Sequence, residues 1–519
     1  MPNRSTDALF QLIKSLEKSE KRNFKLYVNR NSSTEDLKTV QLFDALDKME
    51  NYDEPLLLKK NPEIRKQQLS NIKASLYRQI LSSLRLIKDA DNIDIQLNEL
   101  MGFARILYNK GLYHQSLKTL EKLKEIASEH NQVTFMQQAL FFEKKIEMLH
   151  ITRSMQDRAE KLTEQADYVN KRLNIISQLS DLSLLLYSWY IKNGHARNEK
   201  DEEEVDKFFE RHLINIDGEN ITGFYGRLYW YQSNCWKGFI KQNFLQYYRY
   251  TQKWFDLFET NKKMIPVESI YYLKAMHNLL SAHFALGNRG KFAEILKALE
   301  EFSETKEVVQ NANTKIQTFI YLYTAKINRH FMEGTFTEGL YLVQEIENRI
   351  EEYELQIDRH RILVLYYKIA CLYFGSGDNE KAIDYLNKII HWKVDLRTDL
   401  QCYARLLHLI AHYELGNFDL LEYLTKSVYR FMAKMENLSL VEEEMFKFLR
   451  SAFQLSPKEI RPAFERLLER LKRQENNRFE TRAFQYLDVI SWLESKIQGR
   501  QVQDVIREKY LDRKKSSSC

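Results

Sequence analysis

Apolar residues recur at helical spacing along most of the chain, and one kind of interruption returns between them. An apolar, periodic stretch ends at a Gly or Asn with a polar neighbour, and another apolar stretch follows. Beginning at Gln242, the steps from one interruption to the next are 45, 47, 43 and 39 residues. This pattern predicts helical hairpins that repeat about every 43 residues. The clearest interruptions are Lys110-Gly111, Gln242-Asn243, Gly287-Asn288, Gly334, Gly377-Asp378 and Gly416-Asn417.

The period also predicts interruptions at positions other than these six. Three steps between Gly111 and Gln242 require breaks near 155 and 198, and polar residues lie at 152–157 and 193–201. Further steps require breaks near 459 and 500, where the chain has Ser456-Pro457 and Gly499. A glycine at each turn would supply the positive φ that ends the first helix of a hairpin.

Proline and helix-capping residues support the helical reading. The chain has only six prolines and 15 glycines in 519 residues, and none of the prolines lies between 62 and 266 or between 266 and 457. Ser456 and Glu459 have the spacing of a capping box around Pro457, and Asn61-Pro62-Glu63 is expected to start another helix in the same way. We therefore predict an all-α protein, in which stacked hairpins form a superhelical solenoid.

The first 90 residues do not follow the period. They show a helical stripe from Leu9 to Tyr27, a polar loop at 29–34, a short helix through Leu42, a break at 53–55 and a long helix from Pro62 to about Lys88. We predict a helical N-terminal domain or cap at 1–90, a repeat array at 91–499, and a C-terminal capping helix with a basic, Ser-rich tail at 500–519.

One repeat resembles a known family. Residues 366–393 resemble a tetratricopeptide repeat (TPR): Ala370 and Ala382 occupy the small positions that let the two helices approach each other, on either side of the Gly377-Asp378 turn. Weaker copies are residues 100–123, with Ala104 and Ser116 at those positions, and the hairpin around Gly334. The repeat-closing proline is replaced by Val394, and the period exceeds the usual 34 residues. The resemblance implies a right-handed superhelical α-solenoid of TPR-like hairpins.

In such a solenoid the first helix of each hairpin lines a concave groove, and residues not used in packing face a partner. Counting back from the turns gives a mixed polar and aromatic lining, which includes His277. It does not hold a concentrated set of Lys and Asn for clamping a peptide carboxylate. The partner-binding residues predicted in this way are Arg105, Lys274, Asn278, Tyr321, Asn328, Tyr367 and Lys368.

Charge is distributed unevenly although the net charge is only +6. Residues 1–90 hold 17 Lys and Arg against 12 Asp and Glu, and residues 458–519 hold 15 against 10, so the middle of the chain is mildly acidic. Ordinary solvated helix faces account for this pattern, and nucleic-acid binding stays possible but disfavoured. If nucleic acid binds, the candidate contacts are Lys21, Arg22, Lys59, Lys60, Arg65 and Lys66.

No catalytic or cofactor motif is present in the sequence. Phosphate-binding loops, dinucleotide fingerprints and nucleophile elbows do not occur, and we expect no cofactor. His408 and His412 have the spacing of a metal pair, but no third ligand follows, so packed or hydrogen-bonded histidines are the preferred reading. Four separated cysteines and no apolar run of membrane-spanning length favour a cytoplasmic protein with no membrane segment.

Two local features allow more than one reading. The acidic run at 199–206 is either a docking patch for a basic partner or, as we favour, the solvated entry of a helix. The aromatic-rich segment 224–258 is either core between repeats or, less favoured, an exposed contact surface.

The sequence therefore predicts a non-enzymatic protein-interaction scaffold or adaptor that binds a peptide or partner protein through the concave repeat surface. The alternative is a regulatory protein whose N-terminal region contacts nucleic acid while the repeats sense a partner. A third reading is an enzyme with an unrecognised site. The oligomeric state is left open.

Overall fold

The computed structural model describes residues 7–30, 34–88, 92–150, 157–213, 221–354, 356–392, 398–432, 439–452, 455–475, 477, 479–480 and 488–516. These residues form helices and connecting turns, with no strand among them, as the sequence predicts. The chain divides into two compact units, Met1–Asp167 and Tyr168–Cys519.

Described residues of the first unit form two separate apolar cores. Helices α1, α2, α3 and α5 share one core, which includes Phe24, Phe43 and Leu76. Helices α6, α7 and α8 share the other, which includes Leu97 and Leu120. The helices of this unit are α1 Ala8–Ser15, α2 Lys18–Arg30, α3 Thr34–Lys48, α4 Glu54–Lys60, α5 Lys66–Lys88, α6 Ile93–Asn109, α7 Tyr113–Glu129, α8 Val133–His150 and the start of α9 Arg158–Asn193.

A polar link fixes the start of α1 to the middle of α5. Asp7 caps α1, since its Oδ1 accepts a hydrogen bond from the Phe10 amide at 3.0 Å. Its Oδ2 accepts one from Lys73 Nζ at 2.6 Å, and Lys73 also donates to the Tyr52 hydroxyl. Burial opposes the charge of Lys73, but the hydrogen bonds to Asp7 and Tyr52 outweigh it and raise the pKa of the ammonium.

Replacing Lys73 with methionine is expected to destabilise the first core by about 2 kcal/mol, because the largely buried Asp7 carboxylate would lose its cation. Faster hydrogen exchange of the α1 amides would measure the loss. The matched control is Lys25→Met, whose ion pair with Asp44 spans 2.7 Å between side chains that are 44% and 41% exposed. That change should cost about 0.5 kcal/mol or less. Equal effects of the two substitutions would contradict the role given to Lys73.

The second unit consists of the rest of α9 followed by a series of hairpins. Successive hairpins pair α11 with α12, α14 with α15, α17 with α18 and α19, α20 with α21, α22 with α23, α24 with α25, and α26 with α27. Its helices are α10 Glu199–Arg211, α11 Gly223–Ile240, α12 Phe244–Thr260, α13 Met264–Val267, α14 Ser269–Ala285, α15 Arg289–Ser303, α16 Lys306–Val309, α17 Ala312–Glu333, α18 Phe336–Gly339, α19 Tyr341–Glu352, α20 Arg359–Ser376, α21 Asn379–Ile390, α22 Thr398–Glu414, α23 Phe418–Met432, α24 Leu440–Ala452, α25 Pro457–Gln474, α26 Val489–Gln498 and α27 Val502–Ser516.

One turn recurs between helices of both units. The first or second residue after the helix has positive φ, and the next amide donates back to the carbonyl five residues earlier, as in Asp378 N to Tyr373 O at 2.9 Å. The predicted use of glycine at these turns is confirmed. Gln242, with φ of 55°, takes the same conformation without being glycine. The glycines with positive φ at such turns are Gly111, Gly287, Gly334, Gly377, Gly416 and Gly499.

Small residues lie where the two helices of a hairpin touch. Ala370 and Ala382 are fully buried in the hairpin of α20 and α21. In the hairpin of α6 and α7, the Ser116 hydroxyl donates to the Ala104 carbonyl at 2.7 Å, a bond that needs close contact of the two helices. These are the positions that the sequence assigns to close approach.

The predicted boundary at Ser456-Pro457 is found in the structure, and the predicted helix start at Asn61-Pro62 is not. Ser456 and Glu459 form the expected capping box. The Glu459 carboxylate accepts a hydrogen bond from the Ser456 amide at 3.0 Å, and the Ser456 hydroxyl donates to the same carboxylate at 2.6 Å. The predicted helix start at Asn61-Pro62 is wrong. Asn61 ends α4, and α5 begins at Lys66 after a short turn. Asn61 Nδ2 donates to the Leu57 carbonyl at 2.8 Å, so this side chain contributes to the end of α4.

The region between Gly111 and Gln242 departs from the predicted period. The break near 198 exists, since α9 ends at Asn193 and α10 begins at Glu199, whereas residues 151–156 lie outside the described part. An unpredicted turn occurs at Asn131. Helix α9 runs for 36 residues, because no Gly or Pro occurs within it to end the helix.

The last hairpin contacts helices that come much earlier in the sequence. In α26, the Trp492 indole donates to Glu414 of α22 at 2.7 Å, and Lys496 donates to the same carboxylate. In α27, the Arg507 guanidinium donates to the Glu333 carbonyl at the end of α17, and the Tyr510 carbonyl accepts from Arg289. The C-terminal hairpin thus bridges several earlier repeats of the second unit.

Candidate partner-binding surface

The first helices of three consecutive hairpins, α14, α17 and α20, pack side by side. Six polar or ionisable side chains on them form a connected set, which we call the first-helix row. Every member is buried or half-buried. The row consists of Lys274 and His277 on α14, Tyr321 and Asn328 on α17, and Arg361 and Lys368 on α20.

A stack of three side chains crosses the row from helix to helix. The rings of His277 and Tyr321 lie parallel, with centroids 4.1 Å apart. The Arg361 guanidinium lies 5.3 Å from the Tyr321 ring centroid and donates to Gln317. The stack therefore joins α14, α17 and α20 through their polar side chains.

The two lysines of the row are also held against aromatic rings. Lys274 Nζ lies 5.8 Å from the centroid of Trp236 on α11. Lys368 Nζ lies 5.5 Å from the centroid of Phe331 and donates to Asn328 Oδ1 at 2.6 Å. Such contacts with ring faces stabilise a cation without neutralising it.

The cations of the row lack acidic partners. Lys274, Arg361 and Lys368 form no ion pair with any described carboxylate. Burial lowers the pKa of Lys274, with the positive charge of Arg361 adding to the effect. Burial also lowers the pKa of Lys368, to about 8. The row thus holds positive charge in partly desolvated positions, with no counter-charge from the carboxylates that the structure describes.

His277 does not add to that charge at neutral pH. Burial, together with the nearby charges of Arg361, Lys274 and Lys368, lowers the pKa of its imidazole to about 3. A neutral ring in this position can stack on Tyr321 and offer either a donor or an acceptor nitrogen.

The structure places the sequence-predicted residues in several environments. Lys274, Tyr321, Asn328 and Lys368 belong to the first-helix row, in which Tyr321 and Asn328 are each 8% exposed and Tyr321 also packs in the core cluster of the second unit. Asn278 is half-buried on α14 beside the row, whereas Tyr367 is 3% exposed, lies in the same core cluster and is not part of the row. Arg105 belongs to the first unit, where its guanidinium lies 5.4 Å from the Phe142 ring centroid.

Two residues of the arrangement were not selected from the sequence. Arg361 precedes Lys368 by seven residues, a spacing that returns to the same face of a helix, so it could have been found from Lys368. Gln317 could not have been found in this way, because its role depends on Arg361 of a neighbouring repeat.

The aromatic-rich segment 224–258 packs in the interior. Trp254 and Phe258 are 1% and 0% exposed, and Tyr225, Tyr231 and Phe255 pack against the same core. All of its aromatic side chains are buried or half-buried. The favoured reading as core between repeats agrees with this burial.

The acidic run at 199–206 forms the entry of α10. Asn198 caps the helix, and Glu199, Asp201 and Glu202 occupy its first turn, where carboxylates complement the helix dipole. Asp206 forms an ion pair with Lys237 of α11 at 2.9 Å and another with Lys241, in the turn after α11, at 2.7 Å.

The paired histidines of α22 are packed against each other. The rings of His408 and His412 have centroids 4.5 Å apart, and His412 Nδ1 lies 3.1 Å from Asn417 Nδ2. Burial lowers the pKa of His408 to about 3, with His412 adding to the shift. Within the described residues, no group of three or more His, Cys, Asp or Glu side chains is placed to hold a metal ion.

The candidate nucleic-acid contacts lie in the first unit. Lys21 forms an ion pair with Asp47 at 2.6 Å, so its charge is already matched. Arg22, Lys59, Lys60, Arg65 and Lys66 are exposed.

A cavity of about 440 Å³ lies where the C-terminal hairpin meets the ends of α14, α17 and α20. Aromatic side chains such as Phe284, Phe331 and Phe374 line one side. Ile490 of α26 and Ile506 of α27 line the other. Since Phe331 also contacts Lys368, the cavity begins next to one end of the first-helix row.

Comparison with known proteins identifies one matching segment. Residues 363–393, which span α20 and α21, match the tetratricopeptide repeat family model. No curated protein and no solved structure matches the chain.

The match and the all-helical fold fit a TPR-like helical repeat protein. Repeats of this type generally mediate protein–protein interactions and are typically non-enzymatic, which suggests an interaction role here. No described helix combines the length and the apolar composition needed to cross a membrane.

Proposed function

We propose that this protein is a cytoplasmic, non-enzymatic scaffold or adaptor that binds an extended peptide or a partner helix on its first-helix row. In this proposal the hairpins form a right-handed superhelical solenoid, and the row lies on its concave side. Residues 1–90 cap the array of residues 91–499, and the C-terminal helix covers the ends of earlier hairpins of the array.

The observation that carries the proposal is the stack of His277, Tyr321 and Arg361 across three hairpins. Core packing does not require polar side chains at these positions. Burying a polar group costs free energy unless a hydrogen-bonding partner satisfies it. Half-buried polar groups on consecutive repeats match the long, shallow surface that a solenoid offers to a linear ligand.

Site-specific crosslinking tests the proposal. A photo-crosslinking amino acid in place of Asn278, beside the row, is expected to capture a defined protein partner from the native cytosol. The matched control is the same amino acid in place of Tyr341, an aromatic residue that is 65% exposed on the second helix α19. Capture that is specific to position 278 supports binding on the row. Identical capture at both positions, or capture at 341 alone, would refute it.

A further inference from the structure

We propose that the partner segment bound on the first-helix row is acidic and extended, and that its internal Asp and Glu side chains pair with Lys274, Arg361 and Lys368. This inference rests on the proposed function and names the chemistry of the ligand.

The first argument is the missing counter-charge. Buried or half-buried Lys and Arg side chains in proteins are normally paired, because a desolvated charge is costly. The described side chains that contact the three cations are uncharged, and burial raises the pKa of the nearby Cys235 and Cys371 thiols, so these thiols are neutral as well. The contacting side chains include Trp236, Phe331, Tyr321, Gln317 and Asn328. The positive charge stands out because the middle of the chain is mildly acidic overall. An anionic ligand would supply the absent partner.

The second argument is preorganisation. Each of the three cations is held against an aromatic ring of the preceding hairpin, so its side chain is already ordered before a ligand arrives. The rings are Trp236 for Lys274, Tyr321 for Arg361 and Phe331 for Lys368. Ordering a long side chain costs about 0.5–1.5 kcal/mol on binding, and this cost is reduced when the side chain is held in place beforehand.

The third argument is spacing. Packed helices lie about 8–10 Å apart, and Arg361 and Lys368 lie two turns apart on α20, which is about 10 Å along its axis. A peptide in the polyproline II conformation rises about 3.1 Å per residue and has three residues per turn, so side chains three residues apart lie on the same face and are separated by about 9 Å. Acidic residues at every third position would therefore meet successive cations.

The surroundings favour a peptide over single-stranded nucleic acid. Single strands bind by stacking bases on available aromatic rings beside a basic groove. Here Trp236 already contacts Lys274, and Tyr321 contacts both His277 and Arg361. Asn328 and Tyr321 instead offer hydrogen-bonding groups of the kind that accompany peptide binding.

The test uses the full-length protein and labelled peptides of about twelve residues, acetylated and amidated so that only internal carboxylates can bind. One peptide has Glu at every third position in a Ser and Ala background, and the second has Gln at the same positions. A labelled oligouridine of similar length serves as the nucleic-acid probe. Binding is followed by fluorescence anisotropy at about 50 and about 300 mM salt.

The key variant is Lys274→Met/Lys368→Met, which removes two charges while keeping apolar side chains of similar length. We expect it to weaken binding of the Glu peptide at least about tenfold. The matched control is Lys297→Met/Lys426→Met on the second helices α15 and α23, where the side chains are 79% and 71% exposed. This control should bind the Glu peptide as the wild type does.

Raising the pH gives an independent readout. Because the pKa of Lys368 is lowered to about 8, its charge is lost as the pH rises through that value, and binding of the Glu peptide should weaken. Raising the pH from about 7 to about 9 should therefore weaken binding of the Glu peptide more in the single variant Lys274→Met, which retains Lys368, than in the double variant Lys274→Met/Lys368→Met.

Equal binding of the Glu and Gln peptides, unchanged binding by Lys274→Met/Lys368→Met, or preference for oligouridine would overturn the inference. The proposed function has its own test. If position 278 captures a partner specifically while the protein binds the Glu and Gln peptides equally, the inference fails and the proposed function stands. If capture at position 278 is not specific, the proposed function fails and takes the inference with it.

Discussion

Replacing Gly334 with alanine is expected to displace α27 and to lower the free energy of unfolding of the second unit by at least about 3 kcal/mol. A Cβ at this position would overlap Arg507 N and would lie 2.8 Å from Arg507 Cα and 2.9 Å from Gln503 O. These are backbone atoms of α27, so no side-chain rotation can relieve the overlap. The helix must move, and the contacts of Arg507 and Tyr510 with the earlier repeats would be lost.

The matched control is Gly287→Ala. Gly287 occupies the same kind of turn, with φ of 65° against 66° for Gly334, but a Cβ there would meet no atom within 4 Å. The Gly287→Ala substitution should cost only the strain of placing alanine in the left-handed backbone conformation, about 1–2 kcal/mol. Urea unfolding measures both variants, and hydrogen exchange of residues 502–516 reports the displacement directly. Equal losses in the two variants would show that the contact with α27 contributes nothing.

Replacing Trp492 with alanine is expected to destabilise the second unit by about 3–5 kcal/mol. The indole is 1% exposed, and its ring packs edge-on against Phe464 and Tyr413. Its Nε1 donates to Glu414 at 2.7 Å, so the substitution would remove both a large apolar contact and a buried hydrogen bond. Thermal unfolding followed by circular dichroism measures the effect.

Trp492→Phe separates the two contributions. Phenylalanine keeps most of the buried ring but cannot donate to Glu414, whose other partner, Lys496, would remain at 2.5 Å. We expect a loss of about 1–2 kcal/mol, mainly from the missing hydrogen bond. A loss as large as that of the alanine variant would mean that the hydrogen bond, rather than ring packing, anchors α26.

The sequence predicts the hairpins and their turns well because those features are local. A positive-φ residue such as Gly377, a capping box such as that of Ser456, and small residues such as Ala370 and Ala382 are set by neighbours within one hairpin. The error at Asn61-Pro62 is of the same local kind. An Asn side chain can form hydrogen bonds with the backbone at the end of one helix or at the start of another, and the sequence does not show which of these Asn61 does.

Features that depend on distant residues were not predictable from the sequence. The pairing of Arg361 with Gln317 and the stack of His277 on Tyr321 join residues 44 positions apart, which requires knowing how consecutive hairpins align. Tyr367 was selected because of its place on a first helix, yet its side chain lies in the core. A shift of one residue in register exchanges an interior position for a surface one.

The long-range contacts of the C-terminal hairpin have a consequence for how the second unit unfolds. Simple repeat arrays lose their terminal repeats one at a time, because each repeat contacts only its immediate neighbours. Here Arg507 binds Glu333, and Arg289 binds Tyr510, across 174 and 221 residues of chain. The last hairpin cannot fray without exposing apolar surface on α14, α17 and α20, so the second unit should melt as a single cooperative block.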